Sequence, residues 1–360
     1  MTFVVMAAIL LLGSCGLSAL MTALVRPLAI KMGLVSYPRN DRYNRSVIPL
    51  GGGVALFGTM LMGIVAGVLG YRSMADRVGL KAADFAAREG ELIAMAACAA
   101  TLFVLGLWDD RKRLAPMPKL AVQCLVGLAA AGLAGVRVEF FIHNYVVTTL
   151  LSAFWIVLMV NAFNFLDNMD GDSAGMAAIV GAVLFTAAAN SGQILVGALA
   201  LLFIGSLLGF LIFNFPPARI FMGDAGSLVV GFFVAVLSLR TTYYHQAASG
   251  RWYPVLMPLI ALAVPLYDFT SVMILRLRQG KSPFVGDTQH FSHRLQRRGL
   301  TDTQTALTLY LATLCTGLGA TFLYQTNLIG AILIGVQTVM ILAIIAILEA
   351  HGGNGEVRST

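Results

Sequence analysis

One short segment of the sequence carries many carboxylate and amide side chains. Asn161, Asn164 and Asp167 recur every third residue. Asp170 continues the series. If the segment starts as a helix, this spacing puts the polar groups on one face, turned toward protein or a watery cleft and away from lipid. Carboxylates this close repel one another unless a cation such as Mg²⁺ neutralises them, and the alternative interpretation is a solvated loop.

Two further acidic groups stand at the ends of apolar runs. Asp109 and Asp110 close one run and are followed at once by basic residues. Asp224 opens another run between two glycines, and Asn214 precedes it. Glycines let backbone approach a phosphate, a helix N-terminus favours anions, and a carboxylate can hold a metal ion. The structural alternatives are a charged helix end for the pair and a helix N-cap for Asp224.

Histidine and arginine gather in a later polar loop. His290, His293 and Arg294 lie there, with further cations close by. A zinc site needs more His or Cys ligands than this loop offers. Arg and His suit the recognition of phosphate, so we expect an anion site, with an ordinary positively charged cytoplasmic loop as the alternative.

The composition identifies the chain as an integral membrane protein rather than a cytosolic enzyme. It has 360 residues, of which 58% are hydrophobic and 11% charged, with a mean hydropathy of +0.84. About a quarter of the residues of a soluble domain are charged. At about 20 residues a span, the chain has room for ten or eleven spans and for no separate soluble domain. We therefore predict an all-α polytopic protein, with a single transmembrane domain over residues 1–348 and a short polar tail over 349–360.

Eleven apolar runs, separated by polar breaks, are the candidate membrane spans. They cover about residues 2–25, 49–70, 92–108, 119–136, 146–163, 174–189, 194–213, 225–243, 254–275, 304–324 and 328–348. Prolines in the ninth run predict a kink or a helix end there.

The distribution of Lys and Arg predicts how the protein is oriented. If the chain crosses the membrane at each run, the polar clusters share one side, which carries 17 of the 24 Lys and Arg residues. The positive-inside rule makes that side cytoplasmic and the N-terminus external. We therefore expect a cytoplasmic-face active site in the inner or plasma membrane. The net charge of +7 then reflects the orientation of the protein in the membrane and the binding of anionic phosphates. Nucleic acid is excluded as a partner.

Taken in order, the clusters resemble one family, the polyprenyl-phosphate N-acetylhexosamine-1-phosphate transferases of glycosyltransferase family 4. The similarity covers about residues 42–299. Asp109-Asp110 resembles the family's first aspartate pair, and Asn214 with Asp224 resembles its asparagine and metal-ligand aspartate. The run of three histidines typical of the phospho-N-acetylmuramoyl-pentapeptide transferase branch is absent, so the resemblance is to the branch that starts O-antigen and teichoic-acid synthesis.

The sequence departs from the family motifs at a few positions. Residues 161–171 resemble the motif Asn-x-x-Asn-x-x-Asp-Gly-x-Asp-Gly, with Asn168 in place of its first glycine. Asp172-Ser173 follows where a hydrophobic residue is usual. Ser292 stands where the branch often has a histidine.

The family's N-terminal basic residue has two candidates in this chain. In the family this residue comes shortly before a Pro-x-x-Gly-Gly segment, which is matched here by Pro49 to Gly53. Arg42 and Arg45 both precede that segment, and we favour Arg45. Either one puts arginine where the family has lysine.

The resemblance implies a reaction between two anionic substrates. The phosphate of a membrane polyprenol attacks the β-phosphorus of a UDP-N-acetylhexosamine and releases UMP. UDP-GlcNAc is the favoured donor. Mg²⁺ is the implied cofactor, with Mn²⁺ as a substitute, and a homodimer is left open. The implied catalytic residues are Asp109, Asp110, Asp167, Asp170 and His290; the implied substrate-binding residues are Arg45, Asn161, Asn164, Asn214, His293 and Arg294; and the implied metal ligands are Asp224 and Asp167.

Two other membrane proteins are alternatives. A CDP-alcohol phosphatidyltransferase needs an arginine where Gly175 stands and further acids before Asp224, so we reject it. An ion-coupled transporter needs carboxylates near the bilayer midplane and paired halves. Asp268 is the one acid predicted inside a span, and the sequence shows no repeat.

Overall fold

The fold of the chain is almost entirely helical. A computed structural model describes residues 2–37, 47–78, 82–138, 142, 144–241, 243, 252–282 and 290–350. The helices are α1 (Thr2–Lys31), α2 (Gly52–Val78), α3 (Ala82–Lys112), α4 (Pro116–Gly132), α5 (Tyr145–Leu166), α6 (Asp172–Asn190), α7 (Ile194–Asn214), α8 (Asp224–Arg240), α9 (Met257–Ala261), α10 (Ala263–Arg278), α11 (Phe291–Gln296), α12 (Asp302–Phe322) and α13 (Leu328–Ala350). The two short strands β1 (Val35–Ser36) and β2 (Ile48–Pro49) pair antiparallel.

The helices confirm an all-α polytopic membrane protein. Within the described ranges, eight helices are long and apolar enough to cross a membrane, or nine if α9 and α10 form one bent span. Each of the other two predicted runs coincides with a helix of 17 residues, α4 and α8. Such a helix rises about 25 Å, close to the lower limit for a span. The count of eleven spans and the external N-terminus therefore stay predictions.

The ninth predicted run is broken, as its prolines indicated. The segments Tyr253–Ala261 and Ala263–Arg278 meet at an angle of 63°. Pro265 lies in the first turn of α10, and its ring would clash with the carbonyl of Ala261 if a single helix continued through both. The break turns α10 toward the polar end of the bundle, where Asp268 meets the histidine loop.

The domain boundary predicted at residue 348 falls within the last helix. Helix α13 continues to Ala350, so the first two residues of the predicted tail are helical. Residues 351–360 and the predicted site residue Arg45 lie outside the described residues.

Helix α8 is the centre of the bundle. Every residue from Ala225 to Ser238 is buried, so α8 contacts protein on all sides. It packs against α2, α3, α5 and α6. The outer helices α1 and α13 instead present large apolar side chains outward, as helices that face lipid do. The polar N-terminus of α8 is thus fixed in place by helices around it.

The start of α2 is joined to the segment that precedes α8. The backbone N–H groups of Gly51 and Gly52 donate to the carbonyl of Phe221 at 3.3 and 2.9 Å, and the N–H of Gly53 donates to Met222 at 2.9 Å. These carbonyls satisfy N–H groups that a helix N-terminus leaves without partners inside the helix. Gly53 comes so close that a Cβ atom there would lie 2.3 Å from the backbone nitrogen of Gly226.

We predict that Gly53→Ala destabilises the protein. The added methyl group would meet the backbone of Gly226, which cannot rotate away, so α2 and α8 must separate. Overpacking of this kind costs about 1–3 kcal/mol of the free energy of unfolding, which thermal unfolding in detergent would detect as a lower midpoint temperature.

Gly58→Ala is the matched control on the same helix. A Cβ atom at Gly58 meets nothing within 4 Å, and alanine has the higher helix propensity by about 1 kcal/mol. Its midpoint should equal or exceed that of the unmodified protein. Equal midpoints for the two variants would contradict the close approach at Gly53.

Candidate functional site

The N-terminus of α8 is capped by a carboxylate from another helix. Oδ1 of Asp110 accepts the N–H of Asp224 at 2.8 Å, and Oδ2 accepts the N–H of Ala225 at 3.1 Å. Asp110 lies near the end of α3. Gly223 precedes the helix with a φ of +69°, and a Cβ atom there would lie 2.7 Å from the Asp110 carboxylate. Asp224 is therefore the first residue of the helix and not its cap, which leaves its carboxylate available for other partners.

A lysine lies between two of the predicted acids. Nζ of Lys119, in the first turn of α4, donates to Oδ2 of Asp109 at 2.7 Å and also to Oδ2 of Asp224. The other Asp109 oxygen accepts the N–H of Leu114 at 2.5 Å. The ammonium group thus offsets two carboxylates that would otherwise repel each other. Lys119 is a site residue that the sequence analysis did not identify.

Helix α5 contributes the amides of the asparagine motif. Asn164 donates to Oγ of Ser227 in α8 at 2.8 Å and also interacts with the Asp224 carboxylate. Asn161, one turn earlier, donates to Oε1 of Gln123 in α4 at 2.7 Å. Asn164 therefore faces Asp224, whereas Asn161 contacts α4. The roles of both residues in substrate binding stay predictions.

The acidic loop after α5 is held against the segment between α7 and α8. Oδ2 of Asp170 accepts the N–H of Ala218 at 2.8 Å. Burial raises the pKa of the Asp170 carboxyl, while this hydrogen bond opposes the rise. Asn214 is 2% exposed; its Oδ1 accepts the N–H of Gly171 at 3.2 Å, and its Nδ2 donates to the carbonyl of Ile220 at 3.0 Å. In this structure Asn214 connects two loops of the site.

Asp167 lies at the C-terminal end of α5, between the asparagines and the acidic loop. Its backbone N–H donates to the carbonyl of Phe163 at 3.2 Å, so it ends the helix. The negative charges of Asp167, Asp170 and Asp268 all repel a negative charge on the buried carboxyl group of Asp172. The carboxylates of this segment are therefore close enough to influence one another, as their spacing predicted.

The histidine loop packs against the same end of α5. Nδ1 of His290 lies 3.0 Å from Oδ2 of Asp268, and the other Asp268 oxygen accepts the N–H of Phe291 at 2.7 Å. The His290 ring meets the edge of Phe165 at a centroid distance of 5.7 Å. The guanidinium of Arg276 lies 4.8 Å from the centre of the Phe165 ring. Asp268 thus has a polar partner at the site, although it is part of a span.

The remaining two predicted residues of this loop lie on α11. Nη2 of Arg294 donates to Oγ of Ser271 at 2.9 Å. His293 is 3% exposed, and its ring centre lies 6.4 Å from that of His290. Burial, with a contribution from the nearby His290, lowers the pKa of His293 to about 4. His293 is therefore neutral near pH 7.

The contacts confirm that the four polar clusters meet at one end of the bundle. The first aspartate pair contacts the start of α8, the asparagine motif contacts α8 and the histidine loop, and the acidic loop contacts the segment before α8. Among the residues that the structure describes, no group of three or more His, Cys, Asp or Glu side chains is arranged to hold a metal ion. Mg²⁺ and its predicted ligands therefore stay predictions.

Comparisons with known proteins agree with the motif assignment. The model of the family described as Glycosyl transferase family 4 matches residues 92–242. A Bacillus subtilis protein named "Probable undecaprenyl-phosphate N-acetylglucosaminyl 1-phosphate transferase" is 32% identical over 81% of this chain and 78% of its own length. A Yersinia pestis undecaprenyl-phosphate alpha-N-acetylglucosaminyl 1-phosphate transferase is 30% identical, over 80% and 76%. A Mycobacterium leprae decaprenyl-phosphate N-acetylglucosaminephosphotransferase is 28% identical, over 87% and 83%.

The buried His293 predicts a loss of stability in acid. In the unfolded chain a histidine takes up its proton near pH 6.5, whereas the folded protein resists protonation of His293 until about pH 4. Its contribution to stability is therefore complete above pH 6.5 and falls by roughly 2 kcal/mol by pH 5. His293→Gln removes the titration, so its unfolding midpoint should fall less between pH 7 and pH 5 than that of the unmodified protein. Parallel midpoint curves would contradict the assignment.

Proposed function

Since the chain belongs to the polyprenyl-phosphate N-acetylhexosamine-1-phosphate transferases of glycosyl transferase family 4, we propose that it transfers N-acetylglucosamine-1-phosphate from UDP-GlcNAc to a polyprenyl phosphate. An oxygen of the lipid phosphate forms a bond to the β-phosphorus, and the bond between that phosphorus and the UMP oxygen breaks. UMP leaves, and the product is polyprenyl-diphosphate-GlcNAc. The names of the relatives support this donor sugar and this lipid class.

The observation that carries the proposal is the group formed by Asp109, Lys119 and Asp224 at the capped start of α8. A lipid phosphate and a nucleotide diphosphate repel each other, so the protein must offset their charge and hold them in line. Lys119 reduces the negative charge that Asp109 and Asp224 would present to these substrates. Asp110 fixes the start of α8, so that the acids keep their positions during the reaction.

In this proposal a hard divalent cation binds beside these acids. The carboxylates of Asp109 and Asp224 already converge on one positive group, the Lys119 ammonium, so the position stabilises positive charge. Their ligand atoms are oxygens, which Mg²⁺ prefers and Mn²⁺ accepts. Asp224 is our principal ligand, with Asp167 as the second. When bound, the ion would neutralise the diphosphate and assist departure of UMP.

The histidine loop completes the anion site. Asp268 occupies Nδ1 of His290, so Nε2 is the ring nitrogen left to face a substrate group. His293 and Arg294, which both lie on α11, are the further predicted phosphate contacts. Asp170 and Asn164 shape the side of the pocket toward α5.

The site belongs at the cytoplasmic face of the membrane in this proposal. The polyprenyl tail requires lipid, and the UDP-sugar is a soluble nucleotide, so the two reactants can meet only at a membrane surface. The excess of Lys and Arg on the side that carries the site supports the cytoplasmic one.

The transferase proposal predicts UMP release that depends on Asp224. Purified protein given undecaprenyl phosphate, UDP-GlcNAc and Mg²⁺ should release UMP, and UDP-GalNAc in parallel tests the choice of sugar. Asp224→Asn keeps the size of the side chain and removes its charge, so kcat should fall by about 100-fold or more. Unchanged release would overturn the metal assignment. A folded wild-type protein that releases no UMP from any UDP-sugar would overturn the transferase and restore the transporter.

We also expect Lys119→Met to lower kcat by about 100-fold, because two carboxylates at the site lose their positive partner. Lys112→Met is the matched control, since Lys112 is exposed at the end of α3. The control should release UMP at the wild-type rate. Equal rates for the two variants would remove Lys119 from the site.

A further inference from the structure

Two positions at which the chain departs from the family motifs are in direct contact. Oγ of Ser292 donates to Oδ1 of Asn168 at 2.8 Å, although the residues are 124 positions apart in the sequence. The other end of the Asn168 amide donates to the carbonyl of Phe165 at 2.7 Å. A glycine at position 168 has no side chain to accept this bond, and a histidine at position 292 has a larger side chain than serine.

The local structure explains why both replacements are tolerated. Among the described residues, Arg113 is the only one other than glycine with a positive φ, so the backbone at Asn168 does not require glycine. Ser292 is 3% exposed, so its hydroxyl needs a hydrogen-bond partner within the protein. The carbonyl oxygen of the Asn168 amide provides it. The asparagine at position 168 therefore satisfies a requirement that the serine at position 292 creates.

The contact joins the two parts of the site that come from distant segments. Asn168 lies in the loop that carries Asp167 and Asp170. Ser292 lies on α11, beside His290 and His293. Phe165 contacts both parts, through its carbonyl on one side and through its ring against His290 on the other. The hydrogen bond thus links the acidic loop directly to the histidine loop.

We propose that Asn168 and Ser292 form a positioning pair, in which one partly buried hydrogen bond holds α11 in register with the acidic loop in place of the motif's glycine and histidine. The inference rests on the proposed transferase reaction. Since a displacement of about 1 Å in a group that orients substrate can cost about 100-fold in rate, a weak bond at this place has a large effect on kcat.

A double-mutant cycle tests the pair. Asn168→Gly and Ser292→His each break the contact, and each should lower kcat by about 10- to 100-fold. The double variant restores both motif residues and should return to within about 3-fold of wild type. Ser292→Thr retains the hydroxyl and should keep most of the activity. Ser292→Ala removes the hydroxyl, and its kcat should fall as in the other single variants. KM for UDP-GlcNAc and the unfolding midpoint are measured for every variant, because a positioning role changes kcat while the protein stays folded.

Ser14→Ala is the control for the loss of a buried hydroxyl, since the Ser14 hydroxyl donates to the carbonyls of Leu10 and Leu11 in its own helix, α1. Its activity should equal that of wild type. Single losses that multiply in the double variant, or single variants with wild-type kcat, would overturn the pair while the transferase stands. A wild-type protein without UMP release would instead overturn the proposed function, and the pair would lose its reaction with it.

Discussion

The functional end of this protein depends on keeping several carboxylates together beside a membrane. Like charges repel strongly where water is scarce. The chain supplies two kinds of positive partner: the backbone N–H groups at the start of α8 take the carboxylate of Asp110, and the ammonium of Lys119 takes those of Asp109 and Asp224. Both partners are built into helices. Anionic substrates would therefore meet a surface whose own negative charge is partly offset.

The apolar bundle makes this arrangement rigid. Helix α8 is buried on all sides over fourteen successive residues, and the same helix presents its N-terminus to the site. Its start is held by α3 through Asp110, by α5 through the bond between Asn164 and Ser227, and by α2 through the close approach at Gly53. One element thus organises both the core and the chemistry, so changes in packing and changes in activity are closely linked.

The sequence predicted the parts of this structure that depend on local pattern. Long apolar runs have one stable form in a membrane, so the long helices that carry the site, α3, α5 and α8, could be predicted. The short helix α11, which carries His293 and Arg294, lies in a segment predicted as a loop. The motif acids were recognised by type and spacing. Lys119 was missed because a lysine at the edge of an apolar run is indistinguishable from an ordinary charged helix end. Its role appears only when the fold places it between acids of other helices. Asp268 and Asn168 likewise acquire their partners, 22 and 124 residues away, only through tertiary contacts.

The cap on α8 also affects the order in which the site assembles during synthesis. Asp110 and the N–H group that it binds are 114 residues apart, so α3 enters the membrane long before α8 has been synthesised. Until then the aspartate pair has no helix N-terminus to bind, and the site lacks Asp224. In the proposed reaction a nascent chain released before α8 is made would be inactive, because it lacks Asp224. Activity would then require both the eighth helix and the later histidine loop, which lies after α10.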